Sequence, residues 1–171
     1  MKFIFPHLLD KNIVSLFKEK ILEGIKVKTM EIENIKKKFI GVWELVSCDM
    51  KSTEGKNLGK WKAKGRLIYN DKGYISAQLM GLDRPVFKSG RQYKGTIEEI
   101  KKAFNECSSY YGTYEIDEEK RQVIHHIESS LFPNWEGTVQ ERFFTFLDDQ
   151  LELKAQIPEA GIVYLLRWKR I

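Results

Sequence analysis

Apolar side chains recur at every fourth position near the start of the chain, which predicts an amphipathic helix. The stripe consists of Ile13, Phe17, Ile21 and Ile25, and Asp10 precedes it as a helix-capping residue. Val27-Lys28-Thr29 then leads to a shorter predicted helix, from Glu31 to Phe39. We treat residues 1–37 as a basic, amphipathic helical extension and residues 38–171 as a separate domain.

From Gly41 onward the apolar period changes to two, which is typical of β-strands. The predicted strands are Val42–Asp49, one that carries Trp61, Ala63, Leu67 and Tyr69 on a single face, Tyr74–Met80, Tyr110–Ile116, Arg121–Leu131, Thr138–Leu147, Leu151–Gln156 and Ile162–Lys169. One internal helix starts at Thr96, with Ile97, Ile100 and Phe104 predicted to point inward. About eight consecutive antiparallel strands predict a mainly β fold, either a sandwich or a closed barrel with room for one small ligand.

The positive charge belongs mostly to the helical extension. The chain holds 29 Lys and Arg residues against 24 Asp and Glu residues, a net charge of +5. Residues 1–40 contain nine lysines and five acidic residues, whereas residues 41–171 contain 20 basic and 19 acidic ones. The basic side chains of Lys60, Lys62, Lys64 and Arg66 lie on one predicted strand face and the aromatic Trp61 and Tyr69 on the other, whereas a single-strand nucleic-acid groove needs both kinds on one face. We therefore expect no nucleic-acid partner.

The sequence contains no motif of a familiar catalytic or metal site. A glycine-rich phosphate loop, a nucleophile elbow and a His/Cys/Asp set at metal spacing are all missing. We therefore expect no metal and no cofactor. Cys48 and Cys107 do not form a disulfide framework, and both a single disulfide and two free thiols stay open.

Two observations bear on the location of the protein. No run of about 18 apolar residues occurs, and the first residues lack the unbroken apolar core of a secretory signal. We therefore expect a cytoplasmic protein. Residues 10–28 are expected to dock on their own domain or a neighbouring subunit, or else to lie on a membrane surface. Translation from Met30 would leave the first 29 residues outside the natural protein.

Several short segments occur in a characteristic order along the domain. They are Gly41-Val42-Trp43-Glu44-Leu45-Val46-Ser47, Gly65-Arg66-Leu67-Ile68-Tyr69, Gly73-Tyr74-Ile75-Ser76-Ala77-Gln78-Leu79, Asp83-Arg84-Pro85, Tyr110-Tyr111-Gly112-Thr113-Tyr114, His125-His126, Pro133-Asn134-Trp135, Gly137-Thr138-Val139-Gln140-Glu141-Arg142-Phe143 and Leu166-Arg167-Trp168-Lys169-Arg170. With these segments, residues 38–171 resemble the lipocalin-like domain family of small bacterial and fungal barrel proteins. The resemblance implies a calycin-type β-barrel with an internal pocket. By analogy with lipocalins, Trp43 would close the barrel bottom under Arg170 or Arg167.

Polar side chains on inward strand faces are the main candidates for ligand contact. His125 lies on the more apolar face of its strand, where a neutral imidazole orients a ligand, moves a proton or simply fills a hydrogen-bonded core position. Gln140 and Arg142 share a face with two phenylalanines, an arrangement that suits an apolar ligand with a carboxylate or carbonyl group. A buried arginine needs a partner, which is either such a ligand or a carboxylate such as Glu115 or Glu128.

Further ligand-binding candidates lie on two other strands and in two loops. They are Tyr74, Ser76, Gln78, Tyr114, Arg84 and Trp135. The loop residues Arg84 and Trp135 suit a pocket mouth, although the loops around them also suit ordinary turn chemistry.

Three functions stay open from the sequence. The first is binding of a small, mainly apolar molecule with a polar or anionic end. The second is an isomerase, cyclase or hydratase in which His125 works with Tyr114 or Arg142. The third is an interaction module that acts through the N-terminal helix. The oligomeric state is not predicted.

Overall fold

The computed structural model describes residues 11–171, and their side chains from residue 14 onward. The helices and strands of this part of the chain are α1 (Lys11–Phe39), β1 (Gly41–Ser52), β2 (Asn57–Lys60), β3 (Ala63–Tyr69), β4 (Tyr74–Gly81), α2 (Ile97–Asn105), β5 (Cys107–Asp117), β6 (Gln122–Ser130), β7 (Val139–Leu147), β8 (Gln150–Ile157) and β9 (Ile162–Arg170). Residue contacts separate the chain into one unit that ends at Lys38 and a second unit, Phe39–Ile171.

α1 is one continuous helix, so the predicted interruption at residues 27–29 was wrong. The hydroxyl of Thr29 donates to the carbonyl of Ile25 at 2.8 Å, a bond to the preceding turn that lets this polar, β-branched residue remain helical. The predicted cap, Asp10, lies outside the described residues. Within the described chain, no helix is both long and apolar enough to cross a membrane.

The strands form one antiparallel sheet that closes into a barrel, as predicted. Neighbours in the sequence pair from β3 through to β9, and β1 pairs with β3 and with β9. Trp43 lies opposite Arg170 and Ser52 lies opposite Ile162 in the closing pair. β2 pairs with the far part of β1, so the predicted strand is interrupted at Trp61, which lies between β2 and β3. Eight strand positions, one of them shared by β2 and β3, complete the barrel.

α2 begins where predicted but does not bury its apolar side. Thr96 accepts a hydrogen bond from the backbone N–H of Glu99, whose side chain accepts from the backbone N–H of Thr96, which completes a capping box. No residue of α2 is buried, so the prediction that its apolar residues point into the core was wrong. A Cβ built at Gly95 would lie within 3.0 Å of side-chain atoms of Phe87 and Ile100, so Ile100 packs within the β4–β5 connection.

Aromatic side chains fill one end of the barrel around Phe39. This residue is fully buried. Its ring centroid lies 5.2 Å from that of Tyr69, 5.0 Å from that of Phe144 and 5.1 Å from that of Phe146, each in an edge-to-face arrangement. Such contacts stabilise aromatic pairs beyond the area they bury. This end of the barrel is therefore a packed core.

Trp43 closes the barrel beside this cluster, and Arg170 covers it. The indole N–H of Trp43 donates to the carbonyl of Phe39 at 2.8 Å. The guanidinium carbon of Arg170 lies 4.3 Å from the Trp43 ring centroid, and the same guanidinium donates to the carbonyl of Ile40. A Cβ at Gly41 would lie 2.5 Å from Arg170 Nη1, and Gly41 has φ of 144°, so only glycine fits there.

Of the two arginines considered for this plug, the structure therefore selects Arg170. Arg167 instead pairs with the carboxylate of Glu152 at 2.9 Å on the barrel surface.

We predict that Arg170→Ala lowers the free energy of unfolding by about 1–2 kcal/mol, because it removes both the cation–π contact and the bond to Ile40. Arg167→Ala is the matched control and should cost less than about 1 kcal/mol, since its ion pair is half-exposed. Urea unfolding of both variants checks this. Equal losses for the two variants would contradict the plug role of Arg170.

Candidate ligand-binding cavity

The barrel interior contains a cavity of about 440 Å³. Its volume is within the range of small-molecule sites, about 300–1,000 Å³. The wall is mostly apolar, with a few polar groups. Side chains that line it include Leu67, Ala77, Leu79, Leu153, Ala155, Leu166 and Trp168, together with the polar Tyr110, Glu106 and Arg142. A mainly apolar wall with a few polar groups is the usual composition of a site that holds and orients a small molecule.

Arg142 places a buried positive charge on this cavity. β7 carries it inward, and it is only 7% exposed. Its guanidinium donates to the carbonyl of Glu141 at 2.8 Å and to Oε1 of Gln140 at 3.2 Å, and its positive charge favours the ionised form of the Tyr110 hydroxyl. Each of these acceptors is neutral.

The carboxylates proposed as partners of Arg142 do not pair with it. Glu115 lies 3.3 Å from Nε2 of His126 instead, and Glu128 is exposed on β6. Among residues 14–171, no ion pair includes Arg142. A buried charge without an opposite charge is costly, and a ligand oxygen bearing negative charge or electron density would offset that cost.

His125 forms the centre of a buried hydrogen-bonded chain behind the cavity wall. Its Nε2 lies 2.8 Å from the hydroxyl of Tyr69, and its Nδ1 lies 2.9 Å from the hydroxyl of Tyr110. A neutral imidazole donates through one nitrogen and accepts through the other, so one tyrosine donates to it and the other accepts. Tyr110 also lines the cavity, which connects the chain to it.

Burial keeps every member of this chain in its uncharged form. The pKa of His125 is well below its ordinary value of 6.5, because of burial first and then the charge of Arg142. The pKa of Tyr69 is well above 10, mainly because of burial, and burial also raises the pKa of Tyr110 although Arg142 opposes the shift. The positive charge of Arg142 acts on all three members and lowers the pKa of each.

Both cysteines are free thiols that line the cavity. Burial, and to a lesser extent Asp49, raises the pKa of Cys48 to about 12. Burial also raises the pKa of Cys107, whose Sγ lies 3.2 Å from Sδ of Met80. Because the thiolate is the nucleophilic form, these thiols act as apolar wall rather than as reactive groups.

The prediction that Tyr74, Ser76 and Gln78 face the interior was wrong. Tyr74 is 52% exposed, and the buried side chains of β4 are the alternate ones, Ile75, Ala77 and Leu79. The β3–β4 register explains this. Gln78 lies opposite Arg66 and Ser76 opposite Ile68, on the outer face, whereas Ala77 lies opposite the inward Leu67. A strand in a fixed register presents its whole set of alternate residues to one face.

Tyr114 is buried as predicted, whereas Gln140 is only half-buried, and neither side chain reaches the main cavity. Tyr114 is buried, and its hydroxyl donates to the carbonyl of Asn70 at 2.9 Å. Gln140 lines a neighbouring groove with Glu141 and Lys154, from where it accepts from Arg142. His125, Tyr114 and Gln140 are all absent from the cavity wall.

The two loop candidates differ from each other. Trp135 lies in a short 3-10 turn, Pro133–Trp135, and lines the cavity. Its ring centroid lies 5.9 Å from that of Tyr110, edge to face. Arg84 is exposed, and its Nε donates to the carbonyl of Gly81 at 3.4 Å. Of these two, only Trp135 is part of the cavity.

Glu106 is a polar cavity residue that the sequence analysis missed. It caps the C-terminus of α2 and directly precedes β5. Its Oε2 accepts from the indole N–H of Trp61 at 2.8 Å. The signal was weak, because the residue lies at a helix end rather than on an alternating strand face.

The fold and the cavity together define a small β-barrel with a ligand-sized interior, which agrees with the family comparison. The lipocalin-like domain family model matches residues 40–171, and the chain belongs to this family.

The relatives include one curated protein of known cargo. The chain is 34% identical over 90 residues to the 4'-hydroxy-3'-methoxypropiophenone carrier protein ppsC of Aspergillus oryzae (strain ATCC 42149 / RIB 40), a match that covers 49% of this chain and 81% of that protein. A solved structure of a mutant of the fluorescent protein UnaG matches 79% of this chain and 97% of that one, at 11% identity and a TM-score of 0.37. This structural likeness is too slight to carry an argument.

We predict that the free energy of unfolding decreases as the pH is lowered, and that this decrease depends on His125. The imidazole is neutral in the folded protein and takes up a proton near pH 6.5 once unfolded. The neutral imidazole therefore stabilises the folded state fully above this pH. Below it, the free energy of unfolding decreases by up to about 1.4 kcal/mol per pH unit. Urea unfolding between pH 7.5 and 5 measures the slope.

His125→Gln should flatten this pH dependence, because an amide can donate and accept without titrating. His126→Gln is the matched control and should change the slope less than His125→Gln does, since the His126 side chain is 45% exposed and its contact with Glu115 lies on the surface. A wild-type slope in His125→Gln would show that another group carries the effect.

Proposed function

We propose that the barrel binds a small, mainly apolar molecule whose electron-rich end meets Arg142. One observation carries the proposal. Arg142 is a buried cation on the wall of a ligand-sized cavity, and all its acceptors among the described residues are neutral. Hydrogen bonds to a charged donor are stronger than neutral ones, so Arg142 both orients such a ligand and gains a partner.

The relative from Aspergillus oryzae supports an aromatic ketone as the kind of ligand. Its name states that it carries 4'-hydroxy-3'-methoxypropiophenone. An aryl ketone has an apolar ring for the leucine-lined wall and a carbonyl oxygen for Arg142. The side chains of Trp135 and Trp168 provide aromatic edges and faces within the same cavity.

The geometry favours binding over proton transfer. His125, the proposed acid or base, does not line the cavity, and both of its ring nitrogens are engaged by tyrosines. Its lowered pKa keeps it neutral near pH 7. A general base needs to reach the proton it removes, directly or through one water. Tyr110 separates His125 from the cavity, so the histidine acts by holding Tyr110 in place.

We predict that Arg142→Met weakens binding of 4'-hydroxy-3'-methoxypropiophenone about 10- to 100-fold, because a hydrogen bond to a charged group contributes about 1.5–3 kcal/mol. The unliganded variant should keep the thermal stability of the wild type or exceed it, because an apolar side chain replaces a buried charge. Isothermal titration calorimetry and thermal unfolding measure the two effects.

Arg84→Met is the matched control, since Arg84 is exposed near the cavity but not part of its wall. Its affinity should equal that of the wild type. Undiminished affinity in Arg142→Met would overturn the role of Arg142. Failure of the wild type to bind any aryl ketone would overturn the proposed ligand class.

A further inference from the structure

Glu106 is fixed in the cavity wall by contacts with the end of β4 and with Trp61. Its backbone carbonyl accepts from the N–H of Gly81 at 2.7 Å, and its Oε2 accepts from the indole N–H of Trp61 at 2.8 Å. The side chain crosses directly over Gly81, where a Cβ would lie 2.2 Å from Oε2. Gly81 therefore leaves the space that this carboxylate occupies. A side chain held in this way is preorganised for recognition rather than free to turn away.

The carboxylate of Glu106 and the guanidinium of Arg142 line the same cavity without pairing. No ion pair found among residues 14–171 joins them. The two residues belong to different places on the wall. Tyr110, whose hydroxyl is under the charge of Arg142, is four residues beyond Glu106, and an extended chain rises about 3.3 Å per residue, so the backbone positions of Glu106 and Tyr110 are on the order of 10 Å apart along the wall.

The cavity therefore has two chemically opposite ends. Arg142 offers only donors, whereas the carboxylate of Glu106 offers only acceptors. Trp61 occupies Oε2 of Glu106, and the structure shows no partner at Oε1 among the described residues. The wall between the ends is apolar and includes Leu79 and Leu153.

We infer that Glu106 determines ligand specificity by accepting a hydrogen bond from a hydroxyl group at the end of the ligand opposite to its Arg142-bound acceptor. The inference rests on the proposed function and narrows it to one class: elongated aromatic molecules with an acceptor at one end and a hydroxyl donor at the other. A ligand that lacks the donor would remove the Glu106 carboxylate from solvent without offering it a hydrogen bond. This desolvation is costly for a charged group.

The test compares matched ligands on matched variants. The ligands are a para-hydroxyaryl ketone, its para-methoxy ether and the unsubstituted aryl ketone, each titrated calorimetrically into the wild type, Glu106→Gln and the control Glu128→Gln. Glu128 is an exposed carboxylate on β6. The glutamine in Glu106→Gln retains an oxygen for Trp61, so the local structure should be preserved.

In the wild type and in Glu128→Gln, the hydroxy ketone should bind at least about tenfold more tightly than the methoxy ether, because the hydroxyl bonds to a carboxylate. In Glu106→Gln this ratio should fall to near one, since an amide N–H also donates to the ether oxygen. A merely structural role for Glu106 would weaken all three ligands equally and leave the ratio unchanged.

Two results would overturn the inference while leaving the proposed function intact. One is equal affinity for the hydroxy and methoxy ketones in the wild type, and the other is an unchanged preference in Glu106→Gln. Absence of binding by all three ketones to the wild type would instead overturn the ligand class given under the proposed function, and the inference with it.

Discussion

The pairing of β1 with β9 is the constraint on which the rest of the barrel depends. It joins the first strand of the sheet to the last, from Trp43 opposite Arg170 to Ser52 opposite Ile162. Because side chains alternate along a strand, closure sends every second residue of all the strands into one interior. A shift of one residue would expose that whole set. The register therefore decides which polar residues are buried as well as which apolar ones are.

The interior that results has a packed end and an open end. Phe39 and its aromatic neighbours fill the first, under the plug of Trp43 and Arg170. The second holds the cavity of about 440 Å³. Dense packing at one end stabilises the fold and so allows the other end to stay unfilled, as a binding site requires.

The two buried polar side chains predicted on β6 and β7, His125 and Arg142, differ in the partners that the protein provides for them. His125 finds both hydrogen-bond partners within the protein, at Tyr69 and Tyr110. Arg142 finds acceptors but no opposite charge among the described residues. A buried group with all its hydrogen bonds stabilises the structure. A buried charge without an opposite charge is best explained by a ligand that pairs with it. This difference is why Arg142 rather than His125 is the centre of the proposed site.

The sequence predicted most of the fold and about half of the site. Strict alternation placed His125 and Arg142 correctly inside. On β4 the alternation alone is ambiguous, because the inward Ile75 and Ala77 and the outward Tyr74 and Gln78 both form regular alternate sets, and the strand pairing decides between them. Glu106 lies at a helix end, where no periodicity applies, so only the fold brings it to the cavity. Whether a carboxylate pairs with Arg142 likewise depends on packing across strands, which no local sequence pattern encodes.

The tryptophan indoles offer the most direct test of the claim that ligands enter this cavity. The chain has four tryptophans. Trp61, Trp135 and Trp168 line the cavity, whereas Trp43 lies at the packed end with its indole bonded to Phe39. In a heteronuclear NMR titration of the ¹⁵N-labelled protein with a para-hydroxyaryl ketone, the three cavity indole signals should move and that of Trp43 should stay in place. Unmoved cavity signals, or a shift confined to Trp43, would contradict the account.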